Sequence, residues 1–126
     1  MRPESVATDA APKAIGPYSQ AVIGGGFVFV SGQIALEPAT GALVTGDFAS
    51  EVERVLANID AVLVAAGTDR SRVVKVSVFL TDLAFFGELN EIYARFFGAH
   101  RPARAIVQVA ALPRGARLEI EAVALP

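Results

Sequence analysis

The chain predicts an α+β domain of two layers, a mixed sheet covered on one side by two helices. Three observations predict it. Two stretches repeat apolar residues at three- and four-residue spacing, as a buried helix stripe does; five others alternate apolar with polar residues or run apolar, as strands do; glycine and proline punctuate most of the joints. The resulting order is strand, strand, helix, strand, helix, strand, strand, which buries one sheet face under helices and leaves the other in need of a cover. The 126 residues are one domain's worth, and residues 1–126 are read as a single domain.

Residues 1–13 carry Pro3 and Pro12 and no apolar period, and are expected to form a loosely attached arm. Tyr18 to Ile23 and Phe27 to Ile34 are strands flanking Gly24-Gly25-Gly26, which suits a tight hairpin because glycine tolerates positive φ. In the second of these strands Phe27, Phe29, Ser31 and Gln33 share one face, and Val28, Val30 and Ile34 the other, with Gly32 between them. A glycine in a strand marks a bulge or a close approach, and the residues alone leave both open. Ser31 is equally open: a strand-end hydroxyl satisfied by nearby backbone, or a group lining a pocket.

Glu37 to Gly46, with Pro38 and Thr40-Gly41, is a loop. Asp47 to Ala66 is a helix whose Phe48, Val52, Val55, Leu56, Ile59, Val62 and Leu63 form one stripe; Asp47 or Thr45 caps its start and Gly67 ends it. Glu51, Glu53, Arg54 and Asp60 are expected on a solvated face. Val74 to Leu80 alternates as a strand with one buried face. Asp82 then caps a second helix carrying Leu83, Phe86, Leu89, Tyr93, Phe96 and Phe97, which Gly98 stops. Asn90 is a poor helix former inside it, read either as a surface amide or as a side chain reaching a pocket or neighbouring subunit. His100, the only histidine, lies in a short loop, is expected to be solvated and is assigned no role.

The last quarter holds two strands, Pro102 to Leu112 and Arg117 to Ala124, with Pro113-Arg114-Gly115 as the turn expected to pair them antiparallel. Arg104, Ile106 and Gln108 share a face of the first; Glu119 and Glu121 share the polar face of the second. From the residues alone, Arg104 and Glu119 are either a cross-strand ion pair or a functional pair.

Composition narrows the chemistry. Hydrophobic residues make up 53% and charged residues 19%, against about 45–50% and about 25% for soluble domains. A chain this short cannot hide that surplus in its own core, which favours subunit interfaces. The net charge of −2 comes with no clustered Lys and Arg, so no electrostatic footprint for nucleic acid is visible. With no cysteine and one histidine there is no thiolate chemistry and no metal-ligand set. The amino terminus is too polar for a secretory signal, and the longest uncharged run, Ala14 to Leu36, is broken by Pro17 and three glycines. A cytoplasmic protein with no membrane partner is expected.

Four blocks are familiar: Ile15-Gly16-Pro17-Tyr18-Ser19-Gln20-Ala21; Ser31-Gly32-Gln33-Ile34; Asn90-Glu91-Ile92-Tyr93; and the set Pro102-Ala103-Arg104, Leu112-Pro113 and Leu118-Glu119-Ile120-Glu121. In this order they resemble the RidA/YjgF family of reactive-intermediate (enamine/imine) deaminases, over nearly the whole chain from about Ala11. The resemblance implies a chorismate-mutase-like fold, a homotrimer with sheets packed around its axis, and sites in the clefts between subunits. It further implies a small imino acid substrate such as 2-iminobutanoate or 2-iminopropanoate, no cofactor, and a functional link to pyridoxal-phosphate-dependent dehydratases that release such imines.

By the same resemblance Arg104 anchors the substrate carboxylate and Glu119 orients water. Tyr18 closes the pocket from an adjacent subunit; Ser31, Gly32 and Asn90 line it; and the main chain at Ile106 contacts the ligand. Many bacterial members have cysteine where this chain has Ile106, and the isoleucine here argues that no thiol chemistry is needed. Glu121, on the face of Glu119, has at most a supporting role. The chemistry is feasible with these residue types, since a guanidinium matches a carboxylate with two parallel donors and a protonated imine carbon is already electrophilic. Two other readings stand beside it: a module that senses a small carboxylate such as a 2-oxo acid in the same pocket without turnover, and, as the resemblance implies for some relatives, an RNA-cleaving inhibitor of translation, which the absence of a basic stripe disfavours.

Overall fold

The computed structural model describes residues 2–126. It is α+β, with strands β1 (Glu4–Val6), β2 (Ala21–Gly24), β3 (Phe27–Gln33), β4 (Val73–Leu80), β5 (Ala103–Gln108) and β6 (Leu118–Ala124), and helices α1 (Phe48–Ala65) and α2 (Phe86–Phe97). The strands form one mixed sheet in the order β1-β2-β3-β6-β4-β5, in which only β4 and β5 run parallel.

Local chemistry sets most of these elements. Gly25 and Gly26 have φ of 60° and 82°, the pair of positive values that a two-residue turn needs to match the twist of its strands. The Asp47 carboxylate accepts from Ser50 N at 2.9 Å and so caps α1. Gly67, at φ 82°, ends it where a left-handed residue is required. The stripe from Val52 to Leu63 is buried against β3 and β6. Each such side chain contributes about 1.5–3 kcal/mol through its removal from water, and Ile59→Ala would cost about 2–5 kcal/mol. Asp82 caps a short 3-10 turn, Leu83–Phe85, that leads into α2. Val28 and Val30 of β3, Val76, Val78 and Leu80 of β4, and Leu118, Ile120 and Ala122 of β6 face the helices and make the core.

Four expectations are corrected. Strands β5 and β6 are not partners: β4 lies between them, parallel to β5 and antiparallel to β6. Their connection, Val109 to Arg117, exceeds the about two to five residues of a hairpin loop. β6, buried along Leu118, Ile120, Ala122 and Ala124, takes a central place, and the more polar β5 takes the edge. The arm expected to be loose at residues 1–13 is held over its described residues 2–13: β1 pairs with β2, Ala11 is buried, and the buried Gln20 amide accepts from Thr8 N at 2.6 Å while donating to Pro12 O at 2.7 Å. Glu51 is not on the solvated face. It is only 4% exposed, and Arg117 Nε donates to its carboxylate at 2.7 Å, which satisfies the buried charge. His100 is not simply solvated, its Nε2 lying 2.6 Å from Val73 O.

The face of the sheet away from the helices is bare. Phe29 is 48% exposed and Val107 46%, and Phe27 stands beside Phe29 with ring centroids 6.2 Å apart. Among the described residues no helix is long and apolar enough to cross a membrane.

Candidate active site

Two clefts hold the residues singled out above except Ile106, and they open on opposite faces of the sheet. The first lies over β3 and β6. The step from Val30 to Gln33 on β3 matches the shorter step from Ala122 to Ile120 on β6, so Ser31 and Gly32 form a bulge. Ser31 N donates to Gln20 O at 2.9 Å and Ser31 Oγ to Ser19 O at 2.6 Å, which pins the bulge to the chain leaving Tyr18.

The bulge makes room for Glu119. A Cβ at Gly32 would stand 1.9 Å from Glu119 Oε2 and 2.9 Å from its Cδ, so the carboxylate lies directly across the glycine backbone. Both meanings of a strand glycine thus hold at Gly32. Burial raises the Glu119 pKa from its ordinary value, and the neighbouring Glu121 charge adds to it. Among the described residues the ion pairs are Arg54–Glu37, Arg70–Asp60 and Arg117–Glu51; none involves Glu119, and no cross-strand pair with Arg104 exists. Tyr18, 51% exposed, sits at the rim of this cavity of about 610 Å³, which Lys13 and Arg114 also border. Its turn is set by Gly16 at φ 124°, with Tyr18 N donating to Gly16 O at 2.9 Å.

The second cleft lies between β5 and α2. Arg104 is paired with Val76 in the parallel ladder and therefore points to the helix side, away from the face that carries Glu119. Its Nη1 donates to Asn90 Oδ1 at 2.7 Å, and its guanidinium lies 4.7 Å from the Tyr93 ring centre and 5.8 Å from that of Phe86. The cavity, about 400 Å³, is bordered by Asn90, Tyr93, Ala94, Arg101, Pro102 and Arg104. Arg101 is turned to the end of α2, donating to the Gly98 and His100 carbonyls. Ile106 packs against the core and lines neither cavity, although β5 is an edge strand and half its main-chain groups face away from β4.

One protomer therefore groups Tyr18, Ser31, Gly32 and Glu119 in one cleft, and Arg104 with Asn90 in the other, with β4 between. Sequence reasoning missed Tyr93 and Phe86, both assigned to an apolar helix stripe. The available signal was Tyr93's position three residues after Asn90, which puts both on one helix face. Lys13 and Arg114 carried no signal beyond loop composition.

The fold and the split site define a small α+β protein whose polar residues gather at two open clefts instead of one closed pocket. The family model described as Endoribonuclease L-PSP matches residues 8–125, and the chain belongs to this family, RidA/YjgF. Protein DfrA of Myxococcus xanthus is 53% identical over 127 residues, covering 99% of this chain and 97% of the relative. The 2-iminobutanoate/2-iminopropanoate deaminase of Homo sapiens is 50% identical over 120 residues, covering 95% and 88%. The crystal structure of YyfA from Yersinia pestis, a protein of the conserved Rid family, superposes with a TM-score of 0.97 at 44% identity over 99% of this chain and 100% of that one.

Proposed function

We propose that this chain hydrolyses 2-imino acids, of the 2-iminobutanoate and 2-iminopropanoate class, to 2-oxo acids and ammonia. The observation that carries the reading is Glu119: a carboxylate with raised pKa and no ion-pair partner, held over Gly32 in an open cleft. The human relative's activity supports the substrate class.

The two clefts complete each other between copies of the chain, arranged as a homotrimer about the bare sheet face with Phe27, Phe29 and Val107 inside. Arg104 of one copy then meets Tyr18, Ser31, Gly32 and Glu119 of the next. The substrate carboxylate takes two parallel donors from Arg104. Water attacks the iminium carbon as Glu119 removes one of its protons; the carbinolamine so formed receives that proton on nitrogen, Glu119 takes the hydroxyl proton as the C–N bond breaks and the carbonyl forms, and the departing ammonia carries that proton away as ammonium. A base of this kind contributes about 10² to 10⁴ in rate, and a raised pKa makes the carboxylate a stronger base. No cofactor enters the scheme. Pyridoxal-phosphate-dependent dehydratases of serine and threonine are the class of enzyme that would supply such imines. RNA is disfavoured as substrate by the net charge of −2.

The test generates 2-iminobutanoate in place with a threonine dehydratase and measures how much a semicarbazide trap captures. Wild type should lower trapping and Arg104→Ala should not. Equal hydrolysis by the two proteins removes the proposal.

A further inference from the structure

Tyr93 is 5% exposed, and its hydroxyl is, among the described residues, the one buried side-chain polar atom without a hydrogen-bond partner. A buried donor left unmade costs stability, so a fold that keeps one calls for an explanation. Two further observations place this phenol in the Arg104 cleft. Tyr93 borders the same cavity as Arg104 and Asn90, and its ring face lies 4.7 Å from the Arg104 guanidinium, a distance at which a cation is attracted to the ring quadrupole. Asn90 takes one guanidinium donor at 2.7 Å. Tyr93 and Asn90, three residues apart on α2, thus fix the plane of the guanidinium from two directions.

We propose that Tyr93 belongs to the carboxylate subsite: its ring positions Arg104, and its hydroxyl is a donor to the ligand's carboxylate or to a water bound with it. Burial raises the phenol's pKa, with Arg104 and Arg101 opposing the shift, so the group is a protonated donor throughout the neutral range. The inference rests on the reading of Arg104 as the carboxylate anchor and adds a second donor to it.

Tyr93→Phe separates this from a packing role, because it keeps the ring and removes only the hydroxyl. The free Tyr93→Phe protein should melt at the same temperature as wild type or higher, since an unpaired buried group is lost. In calorimetric titration it should bind 2-oxobutanoate about ten-fold more weakly, as for a lost hydrogen bond to a charged group, and its KM for 2-iminobutanoate should rise by more than its kcat falls. Tyr93→Leu, which also removes the ring, should bind more weakly still. Undiminished 2-oxobutanoate binding by Tyr93→Phe overturns the proposal, as does a lower melting temperature with unaltered affinity, the mark of a hydroxyl that serves a subunit contact. If Arg104→Ala loses binding and Tyr93→Phe does not, only this inference fails. If wild type neither binds 2-oxobutanoate nor consumes the imine, the functional reading fails and takes the inference with it.

Discussion

The Glu119 cleft and the Arg104 cleft are built by different means. Backbone geometry makes the first: a bulge at Ser31 and Gly32, a turn at Gly16, and a carboxylate lying where no Cβ intrudes. Side chains make the second, where an amide and two aromatic rings from α2 surround a cation. Under the proposed function, with Glu119 as base and Arg104 as anchor, the difference follows from what each group must do. A base has to remain reactive, so its carboxylate is partly desolvated and left without a cation. An anchor has to hold one orientation, so its guanidinium is bonded and stacked, with donors to spare.

The sharpest way to break this comparison is to remove the base. Glu119→Gln should lower kcat for 2-iminobutanoate by about 10² to 10⁴, with a smaller change in KM; steady-state kinetics with the trapping assay checks it, and an unchanged kcat would leave Glu119 with no chemical role. The same substitution has a stability signature. The folded-state pKa of Glu119 is raised, so the carboxyl favours folding at pH below its unfolded value, and that contribution is lost as pH rises through the folded value. Glu119→Gln should therefore melt no lower than wild type at pH 7, and any advantage should shrink toward pH 4.

Gly32→Ala asks whether backbone room alone positions the base. The clash is with the end of a flexible side chain, so the fold should survive while Glu119 swings away. A fall in kcat of at least about ten-fold with near-native melting is expected; wild-type kcat would show that the bulge plays no part. Asn90→Ala tests the other cleft. Losing one hydrogen bond to the guanidinium should raise KM by about ten-fold and move kcat less. The smallest effect is reserved for Glu121→Gln. Removing that neighbouring charge lowers the Glu119 pKa toward the ordinary range, so the acid limb of the kcat/KM profile should move to lower pH while the plateau holds. A fixed acid limb would mean that Glu121 does not act on the base.

Both helices, the Gly25-Gly26 turn and the cap at Asp47 were legible in the sequence, because each depends on residues within a few positions of one another; Asp82, expected to cap the second helix, caps the 3-10 turn before it. Gly32 was half legible: its special backbone was evident, but the reason for it sits on β6, far along the chain. The pairing of β5 with β6 was misread because adjacency in sequence stood in for adjacency in the sheet. Glu51 was misread for a related reason. Its place in the helical period was known, while its partner Arg117 approaches from the far end of the chain.

The sequence by itself determined the α+β class, the order of the elements and the polar residues that deserve notice, since periodicity, capping and positive φ are local properties. Only the tertiary structure decided that β4 separates β5 from β6, that Arg104 and Glu119 occupy opposite faces of the sheet, and that Tyr93 stands beside Arg104 with its hydroxyl unpaired among the described residues. Those outcomes are set by which strand buries both its edges and by what each side chain meets across the sheet, and contacts between distant residues leave no local period to read.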